Sequence, residues 1–394
     1  MRAKRYGWVV AALAVAVLVQ SAEARIKLAT LPVRSRVEIQ LDNASATLVE
    51  EERVVTLLKG TNQIDFSWSN TQIDKYTILF RPLEVGDTVR VIHVAYPPGE
   101  NALVWQVFAD KAGPVRVRIS YLIGNLNRTF SYRATAEFDE SSLTLRNYIR
   151  VWNFSGEEFG PSGVWAGIGQ YFRKEMGLQE SKEMLLEKFL KVPIKKQFIF
   201  NWRTGQPVPD EPFQKYVTMH YVLKNDEANQ LGKFPLPYGK VRIFQKDGHG
   251  GEAFTGEDWG KFTPIDDEMK LYLGLARDVK VERTVKRNKN HSVHGNLYHQ
   301  EVIVQYKVQN FKKDAAVLDI EEDMNVLRDE FCGGKKDRDA QWELAGETTD
   351  KGKVERKSAQ KVEIHIPLPA APKEADKKPD EVVFLLHLFF RNEW

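Results

Sequence analysis

Four short stretches hold the residue types that could do chemistry. GKVRIFQKDGHGGEAFTGED, from Gly239 to Asp258, is the richest in glycine. The spacing from Gly251 to Gly256 imitates a phosphate-binding loop. That loop needs Lys and then Ser or Thr directly after the second glycine, with a helix behind them. Glu257 and Asp258 stand there instead, so the charge is wrong for a phosphate. The flanks alternate as strands do, and Asp247 to Gly251 supplies residues that tolerate positive φ. The stretch reads as a hairpin, with Asp247, His249, Glu257 and Asp258 as a candidate recognition loop.

HSVHGNLYH brings His291, His294 and His299 together in sequence, and three imidazoles can hold zinc. The segment follows a basic run and reads as a hairpin tip between Val285 and Val302. No rigid element is evident to converge the rings, so they are a weak metal candidate and no metal site is assigned. His220, His365 and His387 sit inside strand patterns and read as structural. The acidic runs Asp266–Glu268 and Glu321–Asp323 would need two carboxyls held across a cleft to work on a glycan. Neighbours on a strand point to opposite faces, so a run is not a pair. Neither run has the alternate spacing of a calcium loop, and both read as solvated turns. NFSGEEFG, Asn153 to Gly160, lacks the spacing of a nucleophile elbow. Cys332, with Asp329 and Glu330 before it and Lys335 and Lys336 after it, reads as an incidental loop cysteine. No catalytic residue and no cofactor is assigned.

The elements that must position these groups are mostly strands. In RVVTLLKGTNQIDFSW, Val55, Leu57, Ile64, Phe66 and Trp68 follow the period-two pattern of a half-buried sheet. Similar runs recur about every ten residues with Gly, Pro or Asn between them, a sandwich signature rather than βαβ. The fold class expected is all-β: two or three mainly antiparallel β-sandwich (Ig-like) domains in tandem, with little helix. The best helix candidate is Glu180–Leu190, with Ser181 as N-cap and Leu185, Leu186 and Phe189 on one face, although Pro193 leaves an extended reading open. A strand is expected around Trp342–Leu344. The final VVFLLHLFF is apolar on both faces, which suits a buried sandwich strand better than a membrane barrel. The expected divisions are a signal peptide at 1–24, an N-terminal sandwich segment at 25–95, a central β domain at 96–278 and a C-terminal sandwich at 279–394.

Arg2, Lys4 and Arg5, the apolar run Trp8–Val19 and Ala22-Glu23-Ala24 make a cleavable export signal the expectation, too short to span a bilayer. The formal net charge of +3 over 394 residues gives no global pull toward nucleic acid. A single cysteine excludes an internal disulfide, so stability must come from apolar cores.

Several stretches resemble a known family. They are NASATLVEEERVVTLLKGTNQIDFSWSNTQID, the run from Asn101 to Phe159, and LGKFPLPYGKVRIFQKDGHGGEAFTGEDWGKFTP. The shared elements are Leu-Pro-x-Gly at Leu236–Gly239, the strand Val241–Phe244, Phe254–Asp258 and Asn153–Glu157. The chain is similar here to the mucoidy-inhibitor-like family of exported bacterial proteins, whose common part is named domain of unknown function four-one-three-nine. The resemblance covers about three quarters of the expected mature chain and weakens after Ile320. It implies sandwich domains and export, and brings no catalytic residues or cofactor. Longer relatives carry a coiled-coil insert where YPPGENALVW joins the blocks directly. The expected function is a non-enzymatic binding or scaffolding component of the periplasm or cell envelope. Its partner would be an envelope protein or glycan, without nucleic acid and with possible self-association. The alternative is a hydrolase of envelope glycan or peptide with its site at a domain junction.

Overall fold

The computed structural model describes residues 31–43, 45–333, 338–373 and 377–394. The expected signal segment and Lys335 and Lys336 lie outside the described residues. The chain divides into two compact units, Met1–Thr129 with Arg150–Glu183 and Phe130–Ile149 with Met184–Trp394. This differs from boundaries at 96 and 279. Tyr96–Asn101 only joins two strands of one sheet, and strand pairing outweighs a proline-rich turn as a unit of cohesion.

In the first unit, strands β1 (Arg36–Gln40), β2 (Thr47–Leu57), β4 (Leu79–Pro82), β7 (Gly113–Ile123), β10 (Phe159–Trp165) and β11 (Tyr171–Met176) form one sheet. Its order is β11-β10-β1-β2-β7-β4, antiparallel except for β1 beside β10. A second sheet holds β3 (Gly60–Ser67), β6 (Ala102–Ala109) and β5 (Val89–Ala95), in that order. The inward residues of both sheets meet as a sandwich core. Phe66 and Trp105 come from the smaller sheet and Phe80 and Tyr121 from the larger, with Phe80–Trp105 at 4.9 Å and Phe66–Tyr121 at 6.0 Å.

The Asn153–Glu157 motif is a clasp in this unit. Asn153 is fully buried, and its Nδ2 donates to the carbonyls of Glu157 at 2.8 Å and Gly177 at 3.1 Å. Its Oδ1 accepts from the Ser155 hydroxyl at 2.6 Å. Gly156 stands at φ +83°, where a Cβ would also collide with the Asn70 carbonyl, so only glycine fits.

In the second unit, β13 (Lys195–Phe200), β16 (Val217–Lys224), β19 (Glu268–Ala276), β22 (Ala316–Asp323), β24 (Val354–Arg356) and β25 (Lys361–Leu368) form a sheet ordered β19-β16-β13-β22-β25-β24. Facing it in the core is a sheet of β14 (Pro207–Val208), β15 (Glu211–Lys215), β20 (Val279–His294), β21 (Leu297–Asn310), β26 (Glu381–Glu393) and β23 (Trp342–Leu344), in that order. Val302, Val304, Tyr306, Leu386 and Leu388 from the second sheet pack with Leu318, Ile320 and Ile364 from the first. The final strand is thus a sandwich strand between β21 and β23, and Trp342–Leu344 is a strand as expected. A five-stranded sheet holds β12 (Glu180–Pro193), β9 (Ser142–Asn153), β8 (Leu126–Ala136), β17 (Gly239–Lys246) and β18 (Glu252–Gly260), in that order, and β8, β9 and β12 each contain residues of both units.

The architecture is all-β, with several antiparallel-rich sheets. Two local expectations are corrected. Glu180–Leu190 is strand, because β9 offers a ladder that outweighs weak helical periodicity over so few residues. The α-helix among the described residues is α1 (Met324–Phe331), and Asp323 caps it by accepting from the N–H groups of Asn325 and Val326. Glu321–Asp323 is therefore not a solvated turn: it ends β22, buries Glu322 and starts the helix. Cys332 is buried where the helix ends rather than lying in a loop. No helix among the described residues is long and apolar enough to cross a membrane.

Candidate functional site

The outer face of the six-stranded sheet in the first unit carries the most site-like arrangement. Val37, Ile39 and Leu41 turn into the core, so Arg36, Glu38 and Gln40 point outward from β1. Pairing places Glu38 beside Glu50 on β2 and Gly163 on β10, and Arg36 beside Glu52, which neighbours Arg118 on β7. The result is a lattice of opposite charges: Arg36 to Glu38 at 3.0 Å, Arg118 to Glu52 at 2.6 Å and Arg118 to Glu50 at 3.7 Å. Trp165 and Tyr171, opposite each other on β10 and β11, stand at one side with ring centroids 4.7 Å apart and planes at 49°.

Glu38 ties this pair to the lattice. The Trp165 indole donates to one carboxylate oxygen at 3.1 Å, and the Tyr171 hydroxyl reaches the other at 3.4 Å. Gly163 makes room, because a Cβ there would run into both Glu38 oxygens and the Tyr171 hydroxyl. Both rings remain more than two-fifths exposed. A groove of about 120 Å³ runs over Glu38, Glu50, Glu52, Arg118 and Trp165. That is too small to enclose a drug-sized ligand and suits something lying across the sheet.

The residues singled out from the sequence fall elsewhere. β17 and β18 pair from Gly239–Gly260 to Lys246–Glu252, so the glycine-rich stretch is a hairpin with its bend at Asp247–Gly251. Asp247 Oδ1 accepts from the N–H groups of His249 and Gly251 at 2.8 and 2.9 Å, which holds its carboxyl below the usual range. Gly248 and Gly250 take φ of +78° and +93°. Glu257 pairs with Lys240 at 2.8 Å, and Asp258 turns to the other face to accept from the Tyr272 N–H at 2.7 Å. Glu257 and Asp258 lie about 15 Å along the strand from the bend. The structure therefore joins Asp247 and His249 at the tip but does not bring the four residues together.

The histidine hairpin is a long ribbon, with His291 directly opposite His299 near its tip. Each ring has a separate partner: His291 Nε2 lies 2.7 Å from Glu301, and His299 Nδ1 accepts from the Asn392 N–H at 3.2 Å. His294 lies opposite Leu297. Glu301 also receives Arg287 at 2.8 Å and His387 Nε2 at 3.1 Å. Hydrogen bonding from His291, then from Arg287 and His387, holds its carboxyl down at about 2. Among the described residues, His291, His294 and His299 do not form a common ligand set.

One carboxyl of the run that reads as a solvated turn is buried. Glu322 shares the core-facing side of β22 with Leu318 and Ile320 and bonds the Tyr306 hydroxyl at 2.5 Å. Burial pushes it up to about 7 against the pull of Arg283 and the Tyr306 hydrogen bond. Arg283, itself 3 % exposed, pairs with both oxygens of Glu330 at 2.9 Å and lies over the Trp202 ring. The Trp165 face was also missed, because it depends on parallel pairing of β1 with β10, strands more than a hundred residues apart. The only local signal was the alternation of Arg36, Glu38 and Gln40 with apolar residues.

Comparison with protein-family models, with curated proteins and with solved structures finds no match for this chain.

Proposed function

We propose that this protein is an exported, non-enzymatic binding component of the bacterial periplasm or cell envelope, and that it binds an envelope glycan on the outer face of its first unit. One observation carries the reading: the tilted, exposed Trp165–Tyr171 pair beside a shallow groove of carboxylates and guanidinium groups. Sugar rings present an apolar face of C–H groups and a rim of hydroxyls. Aromatic rings bury the former, while carboxylates and Arg accept from and donate to the latter. A shallow, open groove suits a polymer chain.

The hydrolase alternative has less support. A glycosidase needs a raised-pKa acid and a second carboxylate facing one cleft. Burial raises two carboxyls, Glu322 and Asp319; Glu322 is hydrogen-bonded to the Tyr306 hydroxyl and Asp319 to His365, so both are already engaged. Export and kinship with the mucoidy-inhibitor-like family complete the proposal and rest on the N-terminal pattern and quoted motifs.

The test is co-sedimentation of the purified full chain with insoluble peptidoglycan and other envelope polysaccharides. Retention of wild type and loss in the Trp165→Ala/Tyr171→Ala double variant, folded by circular dichroism, is the expected result. Equal sedimentation of both, or of neither, refutes the glycan reading.

A further inference from the structure

The second unit holds a compact ligand set in the sheet β13-β22-β25-β24. Asp319 on β22 lies directly opposite His365 on β25, and Glu363 sits two residues before His365 on the same face. One potential ligand atom from each of Asp319, Glu363 and His365 lies within 4.8 Å of the others. Ligands of a 2.0–2.2 Å zinc shell stand about 3–4 Å apart, so small side-chain rotations close the set. Asp319 is 1 % exposed and Glu363 8 %, and both are held on paired strands rather than loops.

The imidazole is oriented as a metal-binding histidine usually is. Its Nδ1 faces Asp319 Oδ1 at 2.7 Å, and its Nε2 faces the outlying carboxylate of Glu355 at 3.1 Å. A proton kept on Nε2 and donated to Glu355 leaves the Nδ1 lone pair directed at the other two ligands. Lys357 lies 2.9 Å from Glu355 and 3.2 Å from Glu363, and its side chain is nearly half exposed. It neutralises the set and can swing away. A groove of about 430 Å³ reaches the set at Glu363 and Lys357.

The cluster of Glu301, Glu347 and His387 also joins one histidine to two carboxylates but fails this comparison. His387 Nδ1 accepts from the Glu347 N–H at 3.1 Å, so Nε2 must carry the proton that goes to Glu301. Arg287, bonded to Glu301 and Glu347 at 2.8 and 2.6 Å, already fills the cation position. An always-charged guanidinium does not step aside as a lysine can.

We propose that Asp319, Glu363 and His365 form a divalent transition-metal site of the Zn²⁺ type, with Glu355 as orienting partner and Lys357 as the cation that metal displaces. One imidazole with carboxylates suits Zn²⁺ rather than Ca²⁺ or Mg²⁺, which take all-oxygen shells. On binding, the ion takes the place of the Nδ1 proton, which passes to solvent, and Lys357 swings into the groove.

Calorimetric titration of the full chain with ZnCl₂ tests the site. One equivalent of Zn²⁺ is expected, unaffected by excess Ca²⁺. His365→Ala or Asp319→Asn abolishes it, and Glu355→Gln weakens it about tenfold through the lost orientation. Lys357→Gln tightens it, because the competing charge is gone. The triple variant His291→Ala/His294→Ala/His299→Ala leaves it unchanged. If His365→Ala does not fold, the exposed positions Glu355 and Lys357 decide the matter. Absence of Zn²⁺ binding by the wild type overturns the proposal, as does binding indifferent to both Glu355→Gln and Lys357→Gln.

Discussion

Both units bury ion pairs, Glu51 with Arg53 in the first and Glu322 with Arg283 in the second, and they differ in how they set their exposed aromatic rings. The first unit turns a charge lattice and the tilted Trp165–Tyr171 pair outward from a sheet face. The second buries Arg283, Glu322 and Tyr306 between its sheets. Its exposed aromatic pair, Tyr238–Trp259, is stacked face to face at 5.1 Å and 5°, with Lys240 5.3 Å from the centroid of the Trp259 ring. Those rings are more exposed than Trp165 and Tyr171, yet they already satisfy each other. Exposure alone therefore does not mark a binding surface. What distinguishes Trp165 is a tilted, partly exposed ring beside a groove of hydrogen-bonding groups.

The largest expected effect lies in the buried charges. The folded-state pKa of Glu322 is raised to about 7 from the ordinary 4.5, so the folded protein binds the proton more tightly. Its contribution to stability is greatest below pH 4.5 and is lost as pH rises through 7, a change on the order of 3 kcal/mol. Chemical denaturation of wild type between pH 5 and 8 should show that decline, and Glu322→Gln should flatten it. A Glu322→Gln profile parallel to wild type would place the titration elsewhere.

Next comes Trp165→Ala, which removes the stacking ring and should cut glycan affinity at least tenfold, about 1.4 kcal/mol. Gly163→Ala is a subtler break: its methyl displaces Glu38 and the Tyr171 hydroxyl, so affinity falls severalfold while the fold persists. An unchanged affinity in Gly163→Ala would mean that the tilt of the pair is irrelevant. The smallest effects belong to the second unit. Trp259→Ala should leave glycan affinity unchanged. Asp247→Ala should loosen only the hairpin bend and leave the melting midpoint within error by calorimetry.

Much of this architecture is legible without coordinates, because alternation is local. Val55 and Leu57, Ile64 and Phe66, and the short strand at Trp342–Leu344 can each be read from neighbours alone. The bend at Asp247–Gly251 is equally local, since its glycines and Asx side chain make it. What escapes depends on partners far along the chain. Leu185, Leu186 and Phe189 satisfy a helical stripe until β9 supplies a ladder. Glu322 looks like one of three solvated carboxylates until the register sends it inward with Leu318 and Ile320. The Trp165 face needs β1 beside β10, and the Asp319–His365 pair needs β22 beside β25, neither marked in sequence.

The most direct measurement is a calorimetric titration of soluble peptidoglycan fragments into the wild-type full chain, Trp165→Ala and Trp259→Ala. Saturable binding by wild type and Trp259→Ala, lost in Trp165→Ala, is the predicted result. Binding retained by Trp165→Ala and lost by Trp259→Ala would place recognition on the stacked pair and contradict the assignment of the first unit as the glycan-binding face.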